Sequence, residues 1–260
     1  MAKARAKSFE DRLTLVEHLD ELRTRIVISL AAFGVGFALC FWQDALMLDV
    51  FNAALPGSAP DQPITLGVTE PFFTTVEVAA YGAFVLSLPV ILYQAYAFVL
   101  PAFSDSERKV VLPFLLAAPL LFLAGVAFAY FIVVPAAVKF LLNFNAADFD
   151  IEVRARDYYR FIGVMCLALG VLFQIPLGVL SITRLGIVTP DQLAQNRRYV
   201  ILAIAVAAAA LPGGDPISML LIMAPLLLLY EASILLARRF GAKRERDLAA
   251  AGPAPGLHGS

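Results

Sequence analysis

The sequence has few charged residues and very few of the residues that build disulfide, metal or redox sites. Asp, Glu, Lys and Arg make up 16% of the 260 residues and hydrophobic residues 60%, whereas a soluble domain has about 25% charged residues. The two cysteines, Cys40 and Cys166, lie inside apolar runs, which favours apolar packing over a disulfide framework. The two histidines, His18 and His258, are too few and too far apart for a metal site. This composition indicates a membrane protein rather than a soluble enzyme.

Sequence motifs for catalysis or cofactor binding are missing too. The chain has no phosphate loop, zinc motif or nucleophile elbow, and no paired carboxylates or Ser-His pair near the middle of an apolar run. The formal net charge of −1 gives no indication of a nucleic-acid partner. We therefore expect no metal, no cofactor and no enzymatic activity.

Long apolar runs dominate the rest of the sequence, and they predict an all-α membrane protein with six transmembrane helices. A helix needs about 20 apolar residues to cross the hydrocarbon layer. The fifth and sixth spans are expected to be short, and the 13-residue fifth run reaches only about 20 Å. Pro89 lies within the second run. The predicted spans are Ile26–Trp42, Phe72–Tyr96, Val110–Val134, Tyr158–Ile182, Tyr199–Leu211 and Ile217–Ala237.

The distribution of basic residues predicts how these spans are oriented. Of the 20 Lys and Arg residues, 16 fall in the two terminal segments and in the second and fourth connections. Loops rich in Lys and Arg face the cytoplasm, so both termini are predicted to be cytoplasmic. We expect one six-helix domain over residues 1–240 and a disordered cytoplasmic tail over 241–260, rich in Ala, Gly and Pro at its end.

The segment Ser8–Arg25 before the first span is predicted to form an amphipathic helix with Ser8 as its N-cap. Its apolar stripe consists of Leu15, Leu19, Leu22 and Ile26. Glu21 lies off this stripe, where it is available to a ligand. The alternative is that Glu21 pairs with Arg25, which lies four residues further on.

Several other polar residues have both a functional and a structural interpretation. Glu107, in a short inner loop, is either a binding residue or a first-turn acid of the third span. Glu231 and Glu77 lie within spans, where charge is costly, but both are close enough to an interface to reach water.

Three further polar residues have structural interpretations, as hydrogen-bonding groups between helices or as a helix cap. Hydrogen bonding between helices accounts for Gln94 and Gln174. Asp215, followed by Pro216, has the pattern of a helix N-cap with proline at the first helical position.

A series of short motifs in a fixed order resembles TatC, the multispanning subunit of the twin-arginine protein translocase. Alone each match is weak, but together they extend from Glu17 to Phe240. The matching segments are His18-Leu19-Asp20-Glu21-Leu22-Arg23, Glu70-Pro71-Phe72-Phe73, Leu86 to Gln94 with Phe98, Pro101, Glu107 and Arg108, Ala127 to Phe131 with Pro135, Thr189-Pro190 with Arg197 and Tyr199, and Leu229-Tyr230-Glu231.

Two positions depart from the family pattern. Gln174 stands where the family commonly has a glutamate, so a role that needs a charge there does not carry over. Pro212-Gly213-Gly214-Asp215 replaces Thr-Pro-Pro-Asp, which keeps the acid but loses rigid prolines before it.

The resemblance implies a protein of the bacterial inner membrane that binds twin-arginine signal peptides of folded precursors at the cytoplasmic face. It implies Glu21 and Glu107 as the acids that grip the arginines, Phe98 as an apolar contact, and Arg23 and Arg108 as residues that position the acids. It also implies a multimeric complex with the single-span subunits TatA and TatB, powered by the proton gradient. Glu231, Gln174, Asp215 and Pro89 are assigned to partner binding and translocation.

Three other functions remain as alternatives at this point. A small-solute secondary transporter would show paired broken helices and a charged site near mid-membrane. A membrane-embedded enzyme would need a nucleophile and a base. A purely structural scaffold would not distinguish Arg-Arg from Lys-Lys.

Overall fold

The computed structural model describes residues 2–55, 63–99, 105–148, 151–184, 187–212 and 215–250, and these residues are mainly α-helical. A π-helical turn, Ala129–Val133, joins the fourth helix to the fifth, and one β-bridge pairs Ile64 with Arg154. The helices are α1 Ala2–Trp42, α2 Asp44–Asn52, α3 Glu70–Val99, α4 Asp105–Phe128, α5 Val134–Asn143, α6 Ala155–Leu172, α7 Ile175–Arg184, α8 Pro190–Gln195, α9 Arg197–Ala210 and α10 Pro216–Ala250.

Five helical segments in the described part of the chain are long and apolar enough to cross a membrane. They are His18–Trp42, Glu70–Phe98, Leu116–Asn143, Ala155–Thr183 and Pro216–Arg239. The all-α fold with membrane-spanning helices is therefore confirmed. The predicted fifth span corresponds to α9, whose 14 residues reach roughly 21 Å, less than the usual hydrocarbon thickness. The count of six spans and the orientation of the termini stay predictions.

The last helix differs from its prediction. The sixth span was expected to be short, but the apolar segment of α10 that could cross a membrane, Pro216–Arg239, has 24 residues, and the helix itself continues to Ala250. The backbone is thus helical past the predicted tail boundary at residue 241, because charged residues such as Lys243 and Glu245 are good helix formers. Residues 251–260 lie outside the described residues.

The N-terminal helix also differs from its prediction. α1 is continuous from Ala2 to Trp42, so Ser8 lies inside the helix and the prediction of an N-cap there is wrong. Leu19 and Ile26 are 64% and 50% exposed, so these two members of the predicted stripe are not buried by the rest of the fold. The side chain of Leu15 lies outside the described residues.

Three prolines differ in their effect on the helical backbone, and only two of them coincide with an irregularity. α3 continues through Pro89 without interruption. The π-helical turn comes just before Pro135, which has no N–H and whose ring crowds the preceding turn. Pro176 follows a break at Phe173 and Gln174 that separates α6 from α7, so the predicted fourth span is made of two helices.

The core is centred on α6, the most deeply buried of the long segments. Ile162, Met165 and Leu169 on this helix are almost fully buried together with residues of α3, α4 and α10. α4 and α6 approach closely at Gly125 and Gly170. A Cβ on Gly125 would lie 2.7 Å from the carbonyl oxygen of Leu169, so a larger residue would force the two helices apart.

Candidate functional site

A charged cluster joins α1 to the C-terminal half of α3. The guanidinium of Arg25 donates to Glu21 Oε1 through Nε, at 3.1 Å, and through Nη2. Its Nη1 donates to Gln94 Oε1 on α3 at 3.3 Å. The Arg25 side chain is 21% exposed and that of Glu21 is 37% exposed. The sequence alternative in which Glu21 pairs with Arg25 is therefore realised in the structure.

An aromatic stack lies beside the carboxylate. The rings of His18 and Phe98 are nearly parallel, with their centroids 4.3 Å apart and an interplanar angle of 15°. His18 Nδ1 is 3.8 Å from Glu21 Oε2, the oxygen that does not accept from Arg25. The fold thus brings Phe98 next to Glu21, although the two residues belong to different helices.

An apolar groove opens between α1 and α3 next to this cluster. It has a volume of about 630 Å³ and shares Arg25 and Gln94 with a polar recess of about 430 Å³ that contains Glu21. Its apolar lining consists of Leu22, Ile26, Leu30, Phe33, Phe84, Ile91, Ala95 and Phe98. The carboxylate therefore stands at the mouth of a groove that suits an extended or helical apolar segment carrying a cationic end.

The basic partner of Glu21 differs from the one expected. Arg23 was predicted to position the acid, but it is exposed, and Arg25 holds the carboxylate. The reason is helical geometry, because a residue four positions along lies on the same face whereas one two positions along faces away. The signal was present in the sequence as an i, i+4 Glu-Arg pair.

Glu107 and Arg108 occupy the first turn of α4, which begins at Asp105. This position agrees with the first-turn interpretation of Glu107. The side chains of both residues lie outside the described residues, so the clamp formed by Glu21 and Glu107 stays a prediction.

Glu231, near the middle of α10, is paired with a basic residue of α9. Its Oε2 accepts from Arg197 Nη2 at 2.8 Å, and the two side chains are 43% and 48% exposed. Tyr230 donates to the carbonyl of Leu193 at 2.9 Å, and Arg238 donates to Asp191 at 3.1 Å. These contacts tie α8 and the start of α9 to the middle of α10, so Glu231 helps to fix the short helix α9 as well as being accessible to a partner.

Gln174 connects three helical segments at the break between α6 and α7. Its Nε2 donates to the carbonyl of Ala118 on α4 at 3.1 Å, and its Oε1 lies 3.5 Å from the Tyr96 hydroxyl of α3. The predicted role in hydrogen bonding between helices is confirmed. The neutral amide supplies both a donor and an acceptor, which a carboxylate in this position would not.

Asp215 caps α10 as the sequence predicted. Its Oδ1 accepts from the backbone N–H of Ser218 at 2.8 Å, and Pro216 is the first residue of the helix. The residue is 6% exposed, and its Oδ2 has no hydrogen-bond partner among the described residues.

The four residues assigned to partner binding and translocation lie on different elements of the fold. Pro89 is within α3, Gln174 is at the break between α6 and α7, Asp215 precedes α10 and Glu231 is within α10.

An ion pair between a buried carboxylate at the start of α3 and a partly exposed arginine was missed by the sequence analysis. Arg154 Nε and Nη2 donate to Glu70 at 2.8 and 3.2 Å, and the N–H groups of Leu66 and Gly67 donate to Glu70 Oε2. The hydrogen bonds to Glu70, together with the negative charges of Glu70 and Asp157, raise the pKa of the Arg154 guanidinium above its ordinary value. The partners are far apart in sequence, so no local pattern revealed the pair.

Tyrosine hydroxyls hold the short helix α2 against the same end of the molecule. Tyr159 donates to Asn52 Oδ1 at 2.7 Å, and Tyr158 donates to the carbonyl of Phe51 at 3.2 Å. Tyr130 donates to the carbonyl of Val50 at 2.5 Å. Together with the bridge from Ile64 to Arg154, these bonds form a cap over the start of α3 and α6.

The cysteines have the packing role expected of them. Both are free and buried, and they line an apolar cavity of about 240 Å³ between α1, α3 and α6. Across the residues that the structure describes, no group of three or more His, Cys, Asp or Glu side chains is placed to hold a metal ion.

The helices and the groove define a multispanning, all-helical membrane protein with a half-exposed carboxylate at one end. Residues 17–225 match the model of the Sec-independent protein translocase protein TatC. The chain belongs to the TatC family. This membership confirms the predicted function of a protein translocase subunit, in place of the small-solute transporter that the sequence left open.

Individual relatives agree with this assignment over most of their length. A TatC protein of Magnetococcus marinus is 35% identical over 243 residues, covering 93% of this chain and 90% of the relative. One from Aquifex aeolicus is 36% identical over 229 residues, covering 87% and 95%. A crystal structure of the twin arginine translocase receptor TatC superposes with a TM-score of 0.74 and 37% identity, covering 85% of this chain and 98% of that one.

Proposed function

We propose that this protein is the receptor subunit of a twin-arginine protein translocase. In this role it binds signal peptides with consecutive arginines, carried by folded precursors, at the cytoplasmic face of the bacterial inner membrane. It then nucleates a translocation complex driven by the proton gradient, without a chemical reaction of its own. Family membership supports this role, as does the similar crystal structure of a twin arginine translocase receptor.

One observation carries the proposal to the level of residues. Glu21 accepts two hydrogen bonds from a guanidinium in the structure itself, at the mouth of an apolar groove. A signal peptide has the matching chemistry, because its arginines are followed by an apolar stretch. The peptide arginines would bind at the carboxylate while the apolar stretch packs into the groove beside Phe98.

Glu107 is proposed as the second acid and Arg108 as a residue that steers it. Helix α4 starts at Asp105, so Glu107 lies on its first turn. A planar guanidinium forms paired hydrogen bonds with a carboxylate, whereas an ammonium acts as a point charge. Two acids near one groove would therefore prefer arginine to lysine.

The proposed topology has six spans with both termini in the cytoplasm. It is supported by the five long apolar segments, by the short helix α9 as the remaining span, and by the bias of basic residues. An even number of spans places both termini on one side. Reporter fusions at residue 260 and in the 53–63 segment should report opposite sides of the membrane.

The small single-span subunits TatA and TatB are proposed to dock along α9. This helix exposes Ile201, Leu202 and Val206 and packs mainly on α10 within the described residues. Because α9 is shorter than the bilayer, the membrane beside it would be thinned, and a partner helix would cover the mismatch. Glu231, which pairs with Arg197 at the start of α9, would add a polar contact.

The central experiment measures capture of a signal peptide. A precursor with a photo-crosslinker beside its Arg-Arg pair is incubated with the purified protein in lipid nanodiscs. We expect strong crosslinking to the wild type and a loss of at least about tenfold in the double variant Glu21→Ala/Glu107→Ala, because charge-assisted contacts are removed. An Arg-Arg to Lys-Lys change in the precursor should give a similar loss.

A matched control removes an exposed acid at the other end of the molecule. Glu152 is exposed and lies near the bridge between Ile64 and Arg154. Glu152→Ala should crosslink as well as the wild type. Undiminished capture by the Glu21→Ala/Glu107→Ala variant would remove the assignment of the binding site.

A further inference from the structure

The carboxylate proposed to receive a peptide arginine is already engaged by an arginine of the same chain. Arg25 donates through Nε and Nη2 to one oxygen of Glu21, so its guanidinium occupies a position at the carboxylate that a peptide guanidinium would otherwise take. The geometry points to Arg25 as an intramolecular competitor that weakens the binding of signal peptides. This inference rests on the proposed function, in which Glu21 is a peptide-binding residue.

Arg25 is held in place by more than Glu21. Its Nη1 donates to Gln94 on α3, and its side chain also lines the apolar groove. It is less exposed than Glu21, at 21% against 37%. The competitor is therefore pre-organised between two helices and loses little conformational freedom by staying in contact with Glu21, whereas an incoming peptide must be ordered when it binds.

The occupied carboxylate also changes what an approaching peptide encounters. With Arg25 in contact, the pair carries no net charge, so the attraction for any cationic segment is reduced. A peptide arginine must either displace the Arg25 guanidinium or use only Oε2, which faces His18. Displacement costs the same whichever peptide arrives. Competition by Arg25 therefore lowers the affinity for every signal peptide by the same factor and speeds dissociation of the bound peptide. Fast dissociation suits a receptor that must pass its cargo on.

A purely positioning role for Arg25 makes the opposite prediction. If Arg25 merely orients Glu21 toward the peptide, its removal weakens peptide binding. If it competes, its removal strengthens binding. The sign of the change in affinity therefore separates the two roles, and a structural role in folding would not tighten binding at all.

The experiment measures the dissociation constant and dissociation rate of fluorescent Arg-Arg and Lys-Lys signal peptides. The full-length protein is used in nanodiscs, with the variants Arg25→Gln, Arg25→Lys and Glu21→Gln and the double variant Glu21→Gln/Arg25→Gln. Arg156→Gln, which removes an exposed arginine in the first turn of α6, is the matched control. Size-exclusion profiles and thermal unfolding verify that each variant is folded.

We expect Arg25→Gln to bind both peptides about fivefold more tightly, with an unchanged ratio between them and slower dissociation. Arg25→Lys keeps the positive charge but loses the paired donors of the guanidinium, so it should increase peptide affinity by less. This variant is the second test if Arg25→Gln does not fold. In the Glu21→Gln background, removal of Arg25 should have no further effect. Weaker or unchanged binding by both Arg25 variants would overturn the inference. If Glu21→Gln binds as the wild type does, the assignment of Glu21 as a peptide-binding residue fails, whatever the Arg25 variants show.

Discussion

Two glutamate-arginine pairs at opposite ends of α3 show how the same chemistry serves different purposes. At the Glu70 end, the carboxylate side chain is 5% exposed and receives hydrogen bonds from Arg154 and from two backbone N–H groups. At the Glu21 end, the carboxylate is 37% exposed, and Arg25 binds one of its oxygens. The Glu70 carboxylate is thus enclosed and both of its oxygens are engaged, although Arg154 itself is 37% exposed, whereas the Glu21 carboxylate is accessible to an incoming ligand.

The difference follows from what surrounds each pair. Glu70 connects a loop, α3 and the start of α6, and removing it would take the shared acceptor from two backbone N–H groups and from Arg154, which would keep only its longer contact to Asp157. Glu21 and Arg25 belong to one helix, and the loss of either leaves its partner within reach of water. We therefore assign the Glu70 pair to stability and the Glu21 pair to binding.

The largest expected effect is on stability, from Glu70→Ala. Loss of this carboxylate should lower the melting temperature of the purified protein by several degrees, because Arg154 and the N–H groups of Leu66 and Gly67 lose a shared acceptor. Thermal unfolding followed by size-exclusion chromatography measures the change. Glu21→Ala is the matched comparison and should leave the melting temperature nearly unchanged. Equal shifts in the two variants would remove the distinction between a structural and a binding pair.

A smaller effect is expected from Tyr159→Phe, which tests whether the cap at the Glu70 end is held by its tyrosines. The buried hydroxyl donates to Asn52 at 2.7 Å, and deleting it should cost about 1 kcal/mol and loosen α2. Hydrogen exchange of the residues 44–52 measures that loosening. Tyr93→Phe is the control, since Tyr93 is 65% exposed toward the other end of α3. Exchange that stays as slow as in the wild type would show that packing alone holds α2.

The smallest effect on stability is expected from Glu231→Gln. The pair with Arg197 is nearly half exposed, and such pairs contribute less than about 1 kcal/mol. Thermal unfolding should therefore change little, while co-purification of the small single-span subunits should fall if Glu231 contributes to their docking. A large loss of stability would instead place this pair with Glu70 as a structural contact. Arg238→Gln, which breaks the neighbouring pair with Asp191, is the matched control.

Local sequence patterns predicted the helices well where apolar runs were long. The runs beginning at Ile26, Phe72 and Ile217 each lie within one continuous helix, because lipid-spanning backbone must satisfy its hydrogen bonds internally. The N-cap at Asp215 was equally predictable from the adjacent proline. The break at Gln174 was not, since Pro89 and Pro225 lie inside helices that continue.

The candidate site was predictable in part. The motif around Glu21 and the nearby Phe98 pointed to the correct region, and the i, i+4 spacing to Arg25 was visible as an alternative. The involvement of Gln94 and the stacking of His18 on Phe98 were not visible, because they depend on how α1 and α3 are aligned.

The sequence by itself determined that this chain is a helical membrane protein and which acids lie near the ends of its spans, because hydropathy and helical spacing act over short distances. Only the tertiary structure decided which of those acids is closed off and which is accessible. Glu70 meets Arg154, and Gln94 meets Arg25, only after separate helices have packed, and no local pattern encodes such distant pairings. Within the bilayer, close packing at small residues such as Gly125 and Gly170 sets how the helices align, and the polar partners of each charge follow from that alignment.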